Sequence, residues 1–309
     1  MKIVGVRTFG GPEVLEIFEA PEPHAGPGEI RIRVRAAAVS PTDTVLRSGA
    51  QDMGRMEPPY IPGMDAAGVV DEVGDGARWR IGDEVMALAL PREGRRGAYA
   101  QYLVAPADSV ARIPGGIGLE AASTLPMNGL TAVQTLEKLA LPEGKVLAVT
   151  GAAGTLGNYL VQLAKEAGLT VVADTADKDA DLVSALGADY VVERGDDVAE
   201  RILELFPEGV DAVADAAVMN GLAARAVRDG GGFATYRGWD GDPGRGVRVH
   251  PIRVVQEYHS GAKLDRLRAL AEADLLSPRI ADVMPAERAA EAHRRLEAGG
   301  LRGRIVLTF

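Results

Sequence analysis

The segment that most constrains the fold is residues 145–157, Lys-Val-Leu-Ala-Val-Thr-Gly-Ala-Ala-Gly-Thr-Leu-Gly. Residues 145–150 are an apolar run of strand length. Gly151, Ala152, Ala153, Gly154, Thr155, Leu156 and Gly157 follow. Leu156, Leu160, Leu163, Ala164 and Ala167 then recur at helical spacing. Small residues between a strand and a helix permit a tight turn, close backbone approach to a ligand, and close packing of helix on strand. Free N–H groups and the positive end of the helix dipole sit at such a turn, which is what a pyrophosphate needs. The spacing is G-x-x-G-x-x-G, since Ala152 replaces the second glycine of the strict G-x-G-x-x-G pattern. A ligand-free strand–helix turn is the competing reading, and the position between strand and helix favours the nucleotide site. No P-loop string, G-x-x-x-x-G-K-[ST], is present.

The rest of the chain sorts itself around this loop. Strands at 170–173, 190–192, 210–214 and 232–236 alternate with helices at 181–186, 198–206 and 220–228. Near-continuous apolar strands separated by helices predict a parallel sheet covered on both faces. Residues 264–309 read as helix, turn, helix and a last strand at 304–309. The first 120 or so residues differ. Residues 30–34 alternate Ile-Arg-Ile-Arg-Val, and 63–73 and 83–90 are strand-like. Pro21, Pro23, Gly26-Pro27-Gly28, Pro58-Pro59 and Pro62-Gly63 punctuate them, as in a β-rich domain.

Composition narrows the function classes. A chain of 309 residues exceeds one comfortable core. With no cysteine it has no disulfide, thiol nucleophile or thiolate metal site. A net charge of −10 disfavours nucleic acid and anionic membrane as partners. Ten acids face three bases between Asp174 and Glu204. The bases after Arg245 are spread out and read as a solvated face. No apolar run is long enough to span a membrane. The N-terminal apolar stretch is too short for a signal peptide, so a cytoplasmic location is expected.

These pieces resemble the medium-chain dehydrogenase/reductase superfamily, and within it the zinc-free quinone oxidoreductase (zeta-crystallin-like) branch. The resemblance spans nearly the whole chain. It is carried by Phe9-Gly10-Gly11-Pro12-Glu13-Val14-Leu15, Ser40-Pro41-Thr42-Asp43, Pro62-Gly63-Met64-Asp65-Ala66-Ala67-Gly68, and Gly82-Asp83-Glu84-Val85. Further blocks are Gly97-Ala98-Tyr99-Ala100, Leu125-Pro126-Met127-Asn128-Gly129-Leu130-Thr131-Ala132, and Gly303-Arg304-Ile305-Val306-Leu307. The short-chain family is set aside, because Thr155 breaks its glycine pattern and no tyrosine has a lysine four residues later. The fold implied is α/β: a doubly wound Rossmann sheet at 123–261, inserted in a β-rich GroES-like catalytic domain formed by 1–122 and 262–309.

The resemblance also implies site residues. Zinc-dependent relatives have a cysteine at Ser40, a histidine at Met64 and a third ligand near Met127, and their structural zinc loop corresponds to residues 91–97. His24, His250, His259 and His293 have no helical i, i+3 or i, i+4 pairing, so no zinc is expected. Without a metal Lewis acid, the reaction implied is hydride transfer from NADPH to a quinone or an α,β-unsaturated carbonyl. Ser40, Thr42, Asp43, Met127 and Asn128 border the substrate pocket, and no catalytic acid is assigned. Relatives usually have asparagine at Ser40 and often tyrosines near Val45 and Gln51. Asp43 reads as structural. Thr131 lies near the nicotinamide, or serves as a helix cap or internal hydrogen-bond partner. Cofactor contacts are expected from residues 151–157, Asp174, Thr175, Lys178 and Arg194. An acid about twenty residues past the glycines suits the ribose of NADH, while Lys178 and Arg194 suit a 2′-phosphate. NADPH is expected, with NADH the alternative. A small-molecule substrate and a homodimer through the Rossmann sheet edge near 232–236 complete the picture. Two other readings stay open: an enoyl-thioester or biosynthetic tailoring reductase, and a non-catalytic NADPH-binding redox sensor.

Overall fold

The computed structural model describes residues 1–92 and 96–309. Residues 93–95 of the loop at 91–97 therefore lie outside the described residues. The chain divides into two compact units. The outer one comprises Met1–Met127, Val255–Asp274 and Pro278–Phe309, and the inserted one Asn128–Val254 and Leu275–Ser277. The seams fall at 127/128 and 254/255, where the sequence reading set 122/123 and 261/262. Ser277 joins the inserted unit by two hydrogen bonds. Its carbonyl accepts from Asn158 Nδ2 and its N–H donates to Gln162 Oε1, both at 3.0 Å.

The inserted unit is built on a parallel sheet. Its strand order is Tyr190–Glu193, Thr170–Thr175, Val146–Thr150, Val210–Asp215, Val227–Thr235 and Arg248–Pro251. In chain order this reads 3-2-1-4-5-6, the doubly wound arrangement. Val146–Thr150 and Val210–Asp215 lie at its centre and are almost wholly buried, which is why they are apolar without alternation. The helix Thr155–Glu166 buries Gly157–Ala164. Val172, Val198, Ile202, Val213, Val227 and Phe233 form one core cluster. The two ends of this unit are tied together. Gln134 Oε1 accepts the Arg253 N–H and Lys138 Nζ donates to the Pro251 carbonyl, both at 2.8 Å.

Three expectations need correction here. The helix read at 220–228 is only Gly221–Ala224, and the strand Val227–Thr235 begins where it was to continue. Val227 pairs with Val210. A Cβ at Gly231 would sit 2.7 Å from the Asp211 carbonyl, so the glycine run serves close strand packing. The same strand is not a sheet edge, because Gly232–Thr235 pair with Arg248–Pro251 on the far side. The edge there is Arg248–Pro251. In the outer unit an unanticipated strand, Ile280–Pro285, pairs parallel with Arg304–Thr308. It is an edge strand exposed at most positions, so it lacks the alternation that would reveal it.

The outer unit holds a seven-stranded, mainly antiparallel sheet. Its order is Ile280–Pro285, Arg304–Thr308, Glu29–Ala38, Asp65–Val73, Glu84–Leu88 and Val110–Arg112, with Tyr102–Pro106 also on Glu29–Ala38. Ile30, Ile32 and Val34 point inward while Arg33 and Arg35 are exposed, as the alternation requires. One core cluster contains Ile30, Ile32, Val70, Val85 and Ala105. Another contains Ile3, Leu46, Tyr99, Met284 and Leu307.

Candidate functional site

In the inserted unit the glycine loop lies at the C-terminal end of the first strand, beside the point where strand order reverses. Ligands of open α/β sheets bind at such switch points. Gly151 has φ +67°, a conformation that only glycine adopts freely. Its carbonyl accepts the Gly154 N–H at 2.9 Å. A Cβ on Gly157 would lie 2.2 Å from that same carbonyl oxygen, so only glycine lets the helix start this close to the turn. Gly154 is the N-cap, and no side chain caps the helix. Gly154, Thr155 and Leu156 are half-buried, leaving the first-turn N–H groups open to an anion. Ala152 and Ala153 are buried beneath.

The neighbouring strand ends complete the cradle. Asp215, which the sequence reading missed, is 1% exposed. Its carboxylate accepts from Thr150 Oγ1 at 2.7 Å, the Met219 N–H at 3.0 Å and the Asn220 N–H at 2.6 Å. It thereby fixes the chain where Val218 and Asn220 take positive φ. The signal was available as an acid closing the apolar run Val210–Asp215. Asp174 and Thr175 end the second strand, both buried. Asp174 Oδ1 accepts the Gly151 N–H at 2.5 Å. Burial raises its pKa, and the Gly151 N–H and the Arg194 charge oppose that rise. Thr175 Oγ1 is buried with no hydrogen-bond partner. Arg194 is exposed, and its N–H is held by the Thr175 carbonyl at 2.8 Å. Lys178 is exposed on the short turn Asp177–Asp179. The structure therefore brings residues 151–157, Asp174, Thr175 and Arg194 together. An uncapped helix start, a turn that a Cβ would fill and an orphaned threonine hydroxyl fit a dinucleotide.

Thr131 lies inside the helix Pro126–Leu139, which excludes the N-cap role. Its carbonyl accepts from Thr135 Oγ1 at 2.7 Å. Asn128 is buried on the same helix. Met127, in the outer unit, donates its N–H to Asp65 Oδ1 at 2.6 Å.

In the outer unit Ser40 is fully buried and is the N-cap of the helix Pro41–Ser48. Its hydroxyl pairs with that of the half-buried Thr42. Asp43 is saturated. Its oxygens accept the Ser40 N–H at 2.7 Å, the Gly63 N–H at 2.9 Å and the Tyr99 hydroxyl at 3.1 Å. Burial pushes its pKa up to about 6, with the Ser40 and Gly63 N–H groups opposing. Behind it, Tyr99 Oη meets His293 Nε2 at 3.2 Å, and His293 Nδ1 meets Arg47 Nη1 at 3.3 Å. Arginine only donates, so Nδ1 is an acceptor and the neutral ring carries its proton on Nε2. Burial, then the Arg47 charge, pushes His293 down to about 3. Asp43 is thus a structural hub. Asp65 is buried against Arg304 Nη2 at 2.8 Å. Met64 is 6% exposed and Met127 likewise. Among the described residues no group of three or more His, Cys, Asp or Glu could hold a metal. No helix among them is long and apolar enough to cross a membrane.

A Rossmann-type sheet with its glycine cradle, inserted in a GroES-like β unit, defines an oxidoreductase architecture. The family profile for the alcohol dehydrogenase GroES-like domain matches residues 26–115, and that for zinc-binding dehydrogenases matches 186–307. An alcohol dehydrogenase of Geobacillus stearothermophilus is 29% identical, over 99% of both chains. The NADPH-dependent alkenal/one oxidoreductase of Arabidopsis thaliana is 30% identical, over 99% of this chain and 79% of its own. A mycobacterial quinone oxidoreductase superposes with a TM-score of 0.84 at 28% identity, over 100% of both chains. The chain belongs to the medium-chain dehydrogenase/reductase superfamily, in its quinone oxidoreductase branch.

Proposed function

We propose that the chain is a zinc-independent, NADPH-dependent reductase of quinones or α,β-unsaturated carbonyls. The observation that carries this reading is the cradle of Gly151, Gly154 and Gly157 at the strand-order switch, with its uncapped helix. A bound nicotinamide supplies the hydride. Residues 154–156 hold the pyrophosphate, and Thr175 and Arg194 hold the adenosine ribose and its 2′-phosphate. Ser40, Met64 and Met127 stand where zinc ligands would, and serine and methionine are not zinc donors. The acceptor must therefore delocalise the arriving charge itself, as a quinone or enone does. Asp43 is 1% exposed and already accepts from Ser40, Gly63 and Tyr99, so in this reading water completes the reduction. The similarity to an NADPH-dependent alkenal/one oxidoreductase supports the same substrate class.

The test is NADPH oxidation followed by absorbance, with a panel of quinones and enones. Turnover is expected, unchanged by a chelator. A rate lost on chelation and restored by zinc would refute zinc independence. NADPH should raise the melting temperature more than NADH at equal concentration, since the shift follows RT ln(1 + [L]/Kd). Arg194→Glu should weaken NADPH more than NADH, and equal loss would remove its phosphate role. We also propose a cytoplasmic homodimer through the edge strand Arg248–Pro251. Sedimentation of the purified protein as a monomer would overturn the dimer.

A further inference from the structure

Rossmann folds commonly use an acid after the second strand to bind the ribose hydroxyls. Asp174 is such an acid by sequence, but its side chain is turned to the loop. We propose that Asp174 is a positioning residue, which shapes the glycine turn to receive the pyrophosphate and does not read the ribose. The proposal rests on the nicotinamide-nucleotide reading above.

Asp174 takes the first two N–H groups of the loop. Its Oδ1 accepts from Gly151 at 2.5 Å, and its backbone carbonyl accepts from Ala152 at 3.3 Å. A hydrogen bond to a carboxylate is stronger than one between neutral groups. It fixes Gly151 at φ +67°. Gly151 then sets everything downstream. Its carbonyl binds the Gly154 N–H at 2.9 Å, and Gly154 in turn accepts from Asn158 at 2.8 Å. The same carbonyl limits how close Gly157 may come. The direction of the first-turn N–H groups thus descends from the Asp174 carboxylate. Only 4% of Asp174 is exposed, so little of it is presented to a ligand. Thr175, the next residue, has the unpartnered hydroxyl.

The two roles differ in which ligands feel a substitution. A brace acts on every ligand with a pyrophosphate. A ribose-reading acid acts on NADH and ADP, whose 2′-hydroxyl is free, and not on NADPH. Titration calorimetry of NADPH, NADH and ADP against wild type, Asp174→Ala and Asp174→Asn separates them. Asp174→Ala should raise all three dissociation constants by one common factor, tenfold or more. Asp174→Asn retains an Oδ1 acceptor and should stay within about threefold of wild type for all three. Selective weakening of NADH and ADP in Asp174→Asn, with NADPH unchanged or tighter, would overturn the proposal. So would wild-type affinities in Asp174→Ala. If the alanine variant does not fold, the asparagine variant alone distinguishes the roles. A wild-type protein that binds none of the three ligands overturns the cofactor reading itself.

Discussion

The buried groups around Asp43 show how single residues set the acid response of the outer unit. The His293 pKa lies near 3, below the ordinary value of about 6.5. Its contribution is present above pH 6.5 and is lost as pH falls toward 3, because the unfolded chain takes the proton first. Asp43 sits near 6, above its ordinary 3.8, and acts in the opposite sense. The folded state takes its proton first, so stability is gained as pH falls from 6 to about 4. The two slopes, each about 1.4 kcal/mol per pH unit, oppose each other across that window. Asp43→Asn should therefore lose stability relative to wild type between pH 6 and 4, and His293→Gln should gain it. Urea midpoints at pH 7, 5.5 and 4 check this, and parallel profiles for all three proteins would refute it. At pH 7, Asp43→Ala strands the Ser40 and Gly63 N–H groups and the Tyr99 hydroxyl, and should cost about 2–4 kcal/mol.

At the scale of elements, the glycine turn separates packing from binding. A Cβ at Gly154 would meet only the Gly151 carbonyl, at 3.2 Å, so Gly154→Val should fold while its side chain obstructs the phosphate. At Gly157 a Cβ would overlap that carbonyl at 2.2 Å, so Gly157→Ala should shift the helix and lower stability as well. Circular dichroism melts combined with NADPH titration separate the two variants. Native melting with no NADPH binding is expected of the first, and retained affinity would remove the loop from the site. This turn was legible in sequence because strand, small residues and helix are contiguous there. The period of the strand Glu29–Ala38 was legible for the same local reason. Asp215, Tyr99 and His293 were not, since their partners are brought in by tertiary folding. Ile280–Pro285 escaped because an exposed parallel edge strand has no pattern of its own. The turn of the Asp174 side chain toward the Gly151 N–H is a rotamer choice, which no spacing rule encodes.

At the scale of the whole molecule, one compact unit is inserted into the sequence of another. The ties Gln134–Arg253 and Lys138–Pro251 bring the two ends of the inserted unit together, which lets it interrupt the outer chain. The outer sheet depends on a far more distant pairing, Val306–Thr308 against Ala36–Ala38. Pairings of long sequence separation form slowly. Pulsed hydrogen exchange during refolding should protect amides of Val146–Thr150 and Val210–Asp215 before those of Arg304–Thr308. Simultaneous protection would show that the units fold as one.

The late strand also matters while the chain is being made. Every strand of the inserted sheet leaves the ribosome before Arg304–Thr308 does. Until that last segment emerges, Ala36, Ala37 and Ala38 present an unpaired, wholly apolar strand edge, the kind that captures other chains. In this interval the strands of the inserted sheet are all synthesised while the outer sheet still lacks a seam, an arrangement that favours aggregation. A chain truncated before Arg304 would remain in that condition.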